Sequence, residues 1–324
     1  MHGLSTSISK QTNMKKTIII TLVAAALLGT QAFATEGTVL EGGHLANGAQ
    51  YYGEGKDGAN VTISAGGEKD CSGITVYGSA SAFYCNNTIT MTGGTVKEII
   101  GAASSSSTLA NNTIILAGGT VLEAVKFSVS NHDIATENNK IVLVGEGGTY
   151  GDIQGNSISV GAGIGVWDSH RNISNSIDIY GAGISVGDDF GRGFNSMTFH
   201  LSNNLLDGDV MLNTGTMWIT NLSIDAVEAL DWKPGQSITL LSSEFEIVHF
   251  DDMLDKEYDI KLQGTELQVA TARLVLSEDN TQLKLVYLSG GATTPLVPSN
   301  IPEPTTGTLS LLALAALAAR RRRK

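Results

Sequence analysis

The residues best suited to acid–base chemistry are Asp188 and Asp189, set in Gly187-Asp188-Asp189-Phe190-Gly191-Arg192-Gly193. Cleaving a glycosidic bond needs two carboxyl groups, one to protonate the leaving oxygen and one to activate water or attack the sugar. The same pair equally suits a solvated turn. A second cluster, Trp167-Asp168-Ser169-His170-Arg171, gathers a ring, an acid, a hydroxyl, an imidazole and a guanidinium within five residues. It could line a sugar-binding groove by stacking and hydrogen bonding, or simply be a loop, since neighbours in sequence rarely converge in space. The six histidines show no metal-ligand spacing, and His200 stands alone on an alternating segment. Cys71 and Cys85 cannot make a zinc site by themselves. Asp207-Gly208-Asp209 and Asp251-Asp252 could hold calcium weakly, without the regular glycine-aspartate repeat of a calcium-binding roll. No cofactor is expected, because the glycines lack the strand-to-helix context of phosphate and dinucleotide loops.

What must position these residues is a repeat array. Asn86-Asn87-Thr88-Ile89-Thr90-Met91-Thr92-Gly93-Gly94-Thr95-Val96 recurs 25 positions later as Asn111-Asn112-Thr113-Ile114-Ile115-Leu116-Ala117-Gly118-Gly119-Thr120-Val121. Asn138-Asn139-Lys140-Ile141-Val142-Leu143-Val144 begins a third copy, and units starting at Asn156, Asn175 and Asn195 follow at 19 and 20 positions. Each unit reads as asparagine, a short alternating strand, a glycine turn and another strand. Helical periodicity is absent. Such short strands bury too little alone and are stable only when stacked, and this period falls in the range of one solenoid coil. The expected fold is all-β, a right-handed parallel β-helix with stacked rows of Ile, Val, Leu and Met inside. The recurring asparagines should sit at bends, where amides from successive coils form a ladder.

The repeated Asn-Asn-Thr-Ile and Gly-Gly-Thr-Val elements resemble the β-helical passengers of autotransporters and adhesins over residues 36–224. No translocator barrel follows, which removes autotransport itself from what the resemblance implies. The Gly-Asp-Asp of residues 187–189 is similar to an element of polygalacturonase-type hydrolases. That family's Gly-His-Gly and Arg-Ile-Lys elements have no match here. From about residue 225 glycine thins, and Leu274-Val275-Leu276 is joined through residues 277–281 to Gln282-Leu283-Lys284-Leu285-Val286-Tyr287-Leu288 as an antiparallel hairpin. A stack has an open end that would aggregate unless covered, so residues 225–289 are expected to form a β-rich cap.

Both ends of the chain carry processing signals. Lys15-Lys16, an apolar run from Ile18 to Leu28 and the small triplet Ala32-Phe33-Ala34 make a secretory leader, with Ala32 and Ala34 at the cleavage site and the start at Met1 or Met14 left open. At the other end Pro302-Glu303-Pro304 is followed by a polar spacer, the apolar run Leu309 to Ala319, read as a helix, and the basic cluster Arg320, Arg321, Arg322, Arg323 and Lys324. The basic residues would stop translocation and hold that end on the cytoplasmic side. This layout resembles the PEP-CTERM sorting signal of Gram-negative bacteria. The resemblance implies transient inner-membrane insertion, cleavage by an exosortase-type protease near Pro-Glu-Pro, and delivery to the cell surface or extracellular matrix.

The formal net charge is −12, and it deepens to −19 between the two signals, where 12 Lys plus Arg face 31 Asp plus Glu. Nucleic acid and anionic lipid are therefore excluded as partners, since neither would be attracted. In an oxidising compartment Cys71 and Cys85 could close one disulfide. The expected organisation is a leader with its upstream extension at 1–34, a β-solenoid at 35–224, a cap at 225–289, a linker at 290–300 and the sorting signal at 301–324. The expected function is a structural or adhesive protein of the cell surface or matrix, handled by signal peptidase and an exosortase, and not an enzyme. The alternative is a glycan-degrading or glycan-binding protein touching exopolysaccharide or the glycans of a host or neighbouring cell.

Overall fold

The computed structural model describes residues 37–79, 84–129, 133–167, 171–219, 221–247 and 250–290. The leader, the sorting signal with its apolar segment, linker residues 291–300 and Asp168, Ser169 and His170 lie outside the described residues.

The described residues are all-β apart from a 3-10 turn at Asp251–Met253. The chain passes repeatedly through three rows of strands, and each strand pairs in parallel with its equivalent on the next pass. The first row stacks Asn60–Gly67, Thr88–Met91, Thr113–Leu116, Lys140–Val144, Ser176–Tyr180, Ser196–Leu201 and Leu222–Ala226. The second includes Thr95–Val96, Gly119–Val121, Ile158–Val160, Ile184–Val186, Val210–Thr214 and Ser237–Ser243. The third includes Gln50–Gly53, Thr75–Tyr77, Glu98–Ser104, Val125–Val129, Gly163–Trp167, Asp189–Arg192 and Thr216–Met217.

Register turns the sequence repeats into continuous apolar columns. Val61, Ile89, Ile114, Ile141, Ile177, Met197 and Leu222 are successive Cα partners, as are Ile63, Met91, Leu116, Leu143, Ile179, Phe199 and Ile224. All but the last member of each column are at most 1 % exposed. Because alternate residues of a strand point to opposite faces, this column pair is the inward face and the intervening residues face out. One outward patch is also dry. Ile115, Ala117, Val142, Val144 and Tyr180 form a second apolar cluster, with Tyr150 and Ile153 of the hairpin Thr149–Tyr150/Ile153–Gln154 packed on it.

The bends are built from paired asparagines. Asn86, Asn111 and Asn138 have φ of 60°, 56° and 52°, the left-handed region that asparagine tolerates better than most residues. The next residue of each pair turns inward, and so does Asn175 after Ser174 at φ 55°, so that Asn87, Asn112, Asn139 and Asn175 are at most 1 % exposed. Asn87 donates backbone N–H (3.0 Å) and Nδ2–H (3.1 Å) to Oδ1 of Asn112, and Asn139 does the same to Asn175. The amide ladder expected from the repeats thus exists, and it satisfies both side-chain and backbone groups at a buried corner.

Both ends of the stack close with antiparallel strands. At the start, Gly37–Glu41 pairs with Asn60–Gly67, and Gly43–Ala46 pairs with Gln50–Gly53. At the other end the expected hairpin forms between Gln268–Leu276 and Gln282–Gly290. Its first strand pairs with Glu257–Leu262, which continues the first row, and its second strand pairs with Ser237–Ser243 of the second row. The hairpin therefore joins two rows edge to edge, leaving neither with a free terminal strand there. Parallel pairing runs past the boundary expected at residue 224, through Leu222–Ala226 and Ser237–Ser243. Glycine thinning at 225 marks a change in the turns, while the strand alternation that makes a coil persists, with Ile238, Leu240 and Leu241 buried.

Candidate functional site

The residues singled out for chemistry fall mostly on separate surfaces. Asp188 is exposed, and its backbone carbonyl accepts the N–H of Thr216 at 2.6 Å. Asp189 begins a third-row strand, and its Oδ1 accepts the indole N–H of Trp218 at 2.9 Å. Arg192 lies over the same indole, 5.8 Å from the ring centroid. Trp167 stands one coil earlier in the same row and shares this face, with Lys126 Nζ 5.7 Å from its ring. The carboxylates of Asp207 and Asp209 accept the backbone N–H groups of Ser237 and Leu206, both at 2.7 Å, so they cap loops. Asp252 belongs to the 3-10 turn, where its carbonyl accepts from Lys256. Among the described residues no three acidic, histidine or cysteine side chains are grouped to hold a metal ion.

The disulfide is not formed. Cys71 is buried and Cys85 half-buried, both as free thiols. The Cys71 Sγ–H points to the carbonyl of Thr38 and that of Cys85 to the carbonyl of Thr108, each at 3.8 Å. One thiol is part of the interior column next to the N-terminal strands, while the other sits at the asparagine bend, where Cys85 bridges to Ala110.

The structure instead assembles a polar cluster around His200, a residue that reads as isolated in sequence. Register makes Tyr180, His200 and Asp225 successive partners on three first-row strands. Strands stack at about 4.8 Å, so planar side chains at one register position meet face to face. Tyr180 and His200 do so, with centroids 4.1 Å apart and planes 13° from parallel. His200 is 4 % exposed. Its Nδ1–H donates to Asp225 Oδ1 at 2.5 Å, and its Nε2 lies 3.7 Å from Asp178 Oδ2, an ion-pair contact without a hydrogen bond. Asp178 is also paired with Lys140 from the preceding coil. Gln263, just beyond the strand Glu257–Leu262, donates its Nε2–H to Tyr180 Oη at 3.0 Å, tying the cap to the cluster.

Electrostatics follow from this enclosure. Burial alone would push His200 below its ordinary 6.5, but the contacts and charges of Asp178 and Asp225 outweigh it and raise the imidazole. Burial works to raise Asp178, yet the partners His200 and Lys140 hold its carboxyl below 3.8. Tyr180 is pushed up to about 12, by burial first and then by the two nearby carboxylates, against the lowering effect of the Gln263 hydrogen bond. Lys140, Asp178, His200 and Asp225 thus form a chain in which each basic side chain lies beside a carboxylate. The cluster fastens residues of four successive first-row strands and Gln263 of the closing region.

Beside the cluster opens a cleft of about 270 Å3, lined by Gly147, Thr149, Tyr180, His200, Asn204 and Glu228 among others. Sequence alone carried one signal for it. Tyr180 and His200 each stand five residues after the asparagine that opens their repeat, Asn175 and Asn195, so aligning the repeats places them on one column.

The stacked body and its amide ladder define a repeat-built all-β protein. Its address comes from the other end of the chain, where residues 300–324 match the PEP-CTERM protein-sorting motif. That motif marks an exported, cell-surface-directed protein processed by an exosortase. No curated protein and no solved structure matches the chain.

Proposed function

We propose that the mature chain is a structural or adhesive element of the outer surface or extracellular matrix of a Gram-negative bacterium, with its stacked body arranged as a right-handed parallel β-helix. The observation that carries this reading is the coupling of a sorting motif at 300–324 to a stack whose three strand rows repeat coil after coil. A stack in which each coil contacts its neighbours gains length without a new core, and its side walls offer repeated surface rather than a single enclosed pocket. The negative charge of the chain favours a well-solvated wall. The His200 cluster supports the same reading, because it links four first-row strands and the cap.

The test is fractionation of native cells with mass spectrometry of the mature termini, for the wild type and a variant with Pro302, Glu303 and Pro304 all replaced by alanine. Expected is a wild-type protein at the surface or in the matrix that begins after Ala34 and lacks the basic end. The variant should stay in the inner membrane with its C-terminus intact. Recovery of the wild type in the cytosol, still ending at Lys324, would overturn the reading.

A second reading, a glycan binder, is favoured by the grouping of Trp218 with Asp189 and Arg192.

A further inference from the structure

The third row carries on its outer face a column that the sequence does not reveal, because its members are 23 to 39 positions apart. Tyr52, Tyr77, Ile100, Lys126, Gly165 and Arg192 are successive Cα partners on six adjacent strands. At about 4.8 Å per strand the column runs for about 24 Å along the stacking direction. The rings of Tyr52 and Tyr77 stack at 4.7 Å with planes 20° apart. At the gap left by Gly165, the Trp167 ring fills in, since a Cβ there would lie 3.1 Å from both the Trp167 ring and Arg192 Cβ. One strand further, Trp218 extends the run, held between Arg192 and the Asp189 carboxylate.

Of the three tryptophans in the chain, Trp232 is buried in the cap against Tyr287, and the other two both stand on this face. Trp218 is 53 % exposed. A large ring kept in water on a structural wall costs solvation unless something covers it. The rings do not merge into one apolar patch, as a protein or membrane partner would favour. Beyond the stacked pair Tyr52 and Tyr77, the two indoles are spaced along a line and interleaved with groups that hydrogen-bond: Lys126, which is paired with Glu98 at 2.5 Å, Arg192 and Asp189. Trp167 and Trp218 stand two strands apart, about 10 Å along the axis.

We propose that this column binds a linear polysaccharide of pyranose units lying along the stacking axis. The flat C–H faces of the sugars would stack on Trp218 and Trp167, and the track ends at Ile100, which is only 5 % exposed, short of Tyr77 and Tyr52. The hydroxyls would bond to Arg192, Asp189 and Lys126. A ring face tolerates any pyranose, and hydrogen bonds from both signs of charge select hydroxyl-rich polymers over simple polyanions. This deepens the surface reading by naming a partner class, yet it is tested separately, because binding in solution does not depend on where the chain is sorted.

The test is titration of the full exported chain with cellohexaose and with hexagalacturonate, followed by tryptophan fluorescence and calorimetry. Either hexamer binding supports the proposal, and the comparison tells whether neutral or uronic units are preferred. Trp218→Ala should weaken binding about tenfold, a step of 1.4 kcal/mol, while Trp218→Phe, which keeps a flat ring, should retain most of it. Cellobiose should bind far more weakly than the hexamer, because it cannot span both indoles. Trp218 is exposed, so the variants should melt with the wild type, and Arg192→Ala supplies an independent probe of the same column. Absence of binding by both hexamers overturns the proposal. So does binding that is unchanged in Trp218→Ala, Trp167→Ala and Arg192→Ala.

Discussion

Asn112 and Asn139 are 27 positions apart, yet Oδ1 of Asn139 accepts both the backbone N–H of Asn112 at 3.1 Å and its Nδ2–H at 3.0 Å. Asn139 in turn donates Nδ2–H to the carbonyl of Leu109 at 2.9 Å and to Oδ1 of Asn175 at 3.1 Å. One side chain therefore fastens three coils. Its neighbour Asn138, at φ 52°, supplies the bend that turns it inward.

Replacing Asn139 with leucine, close in volume, leaves several dry donors and acceptors without partners. Each buried orphan costs about 1–3 kcal/mol, so Asn139→Leu should lose about 3 kcal/mol or more. Asn195 closes the ladder at an exposed position, and Asn195→Leu should lose about 1 kcal/mol or less. Urea unfolding of both variants checks the contrast. Equal losses would mean the ladder adds nothing beyond local turn preference.

The His200 cluster gives a pH dependence with a defined sign. His200 is raised above 6.5, so its contribution is whole below 6.5 and fades as pH climbs through the raised value. Asp178 is held below 3.8, so its contribution is whole above 3.8 and fades as pH falls through the lowered value. The cluster should stabilise most between 3.8 and 6.5. Melting curves should show the wild type losing stability from mildly acidic to mildly alkaline pH, and His200→Gln should flatten that slope. An unchanged slope in the variant would assign the dependence elsewhere.

At the closed end, Leu285 is fully buried on the strand that pairs with Ser237–Ser243. Leu285→Asp puts a carboxylate into an apolar site and should destabilise by about 3–5 kcal/mol. Loosening this strand also frees the edges of two strand rows, so the variant should self-associate with increasing concentration. Sedimentation velocity at several concentrations reads this directly, and a variant that stays monomeric would argue against the capping role.

The two cysteines should differ in reactivity. Burial pushes the Cys71 thiol above its ordinary 9.0, while Cys85 is only half-buried. Since the thiolate is the reactive form, iodoacetamide under native conditions should label Cys85 and spare Cys71. Both should be labelled after unfolding without a reductant. Failure to label either after unfolding would reveal a disulfide.

The Asn-Asn pairs and the alternating segments after them made the strands, the bends and the ladder legible, because each is a local preference repeated at a nearly constant interval. The hairpin around residues 277–281 was legible for the same reason. The end of the coil stack was not. Glycine content falls at 225, yet Ser237–Ser243 still enters a row, because burial of Ile238, Leu240 and Leu241 depends on the coil below and not on turn composition. The antiparallel N-terminal closure left no periodic trace either.

The candidate sites show the same division. Gly-Asp-Asp and Trp167-Asp168-Ser169-His170-Arg171 drew attention because their members are adjacent in sequence, yet Asp188 is exposed before the strand that Asp189 begins, and Trp167 and Arg171 belong to two different strands. His200 looked solitary, and its partners Tyr180, Asp178 and Asp225 come from other coils. By itself the sequence determined the sorting end, the all-β character and the recurring asparagine-strand-glycine unit, all of which are written in contiguous residues, but not the coil length: the strand after Asn156 enters the second row and the one after Asn175 the first. Only the tertiary structure decided which side chains share a column. The length of each coil varies as loops are inserted, and it is interstrand hydrogen bonding, not sequence interval, that fixes which residue lies above which.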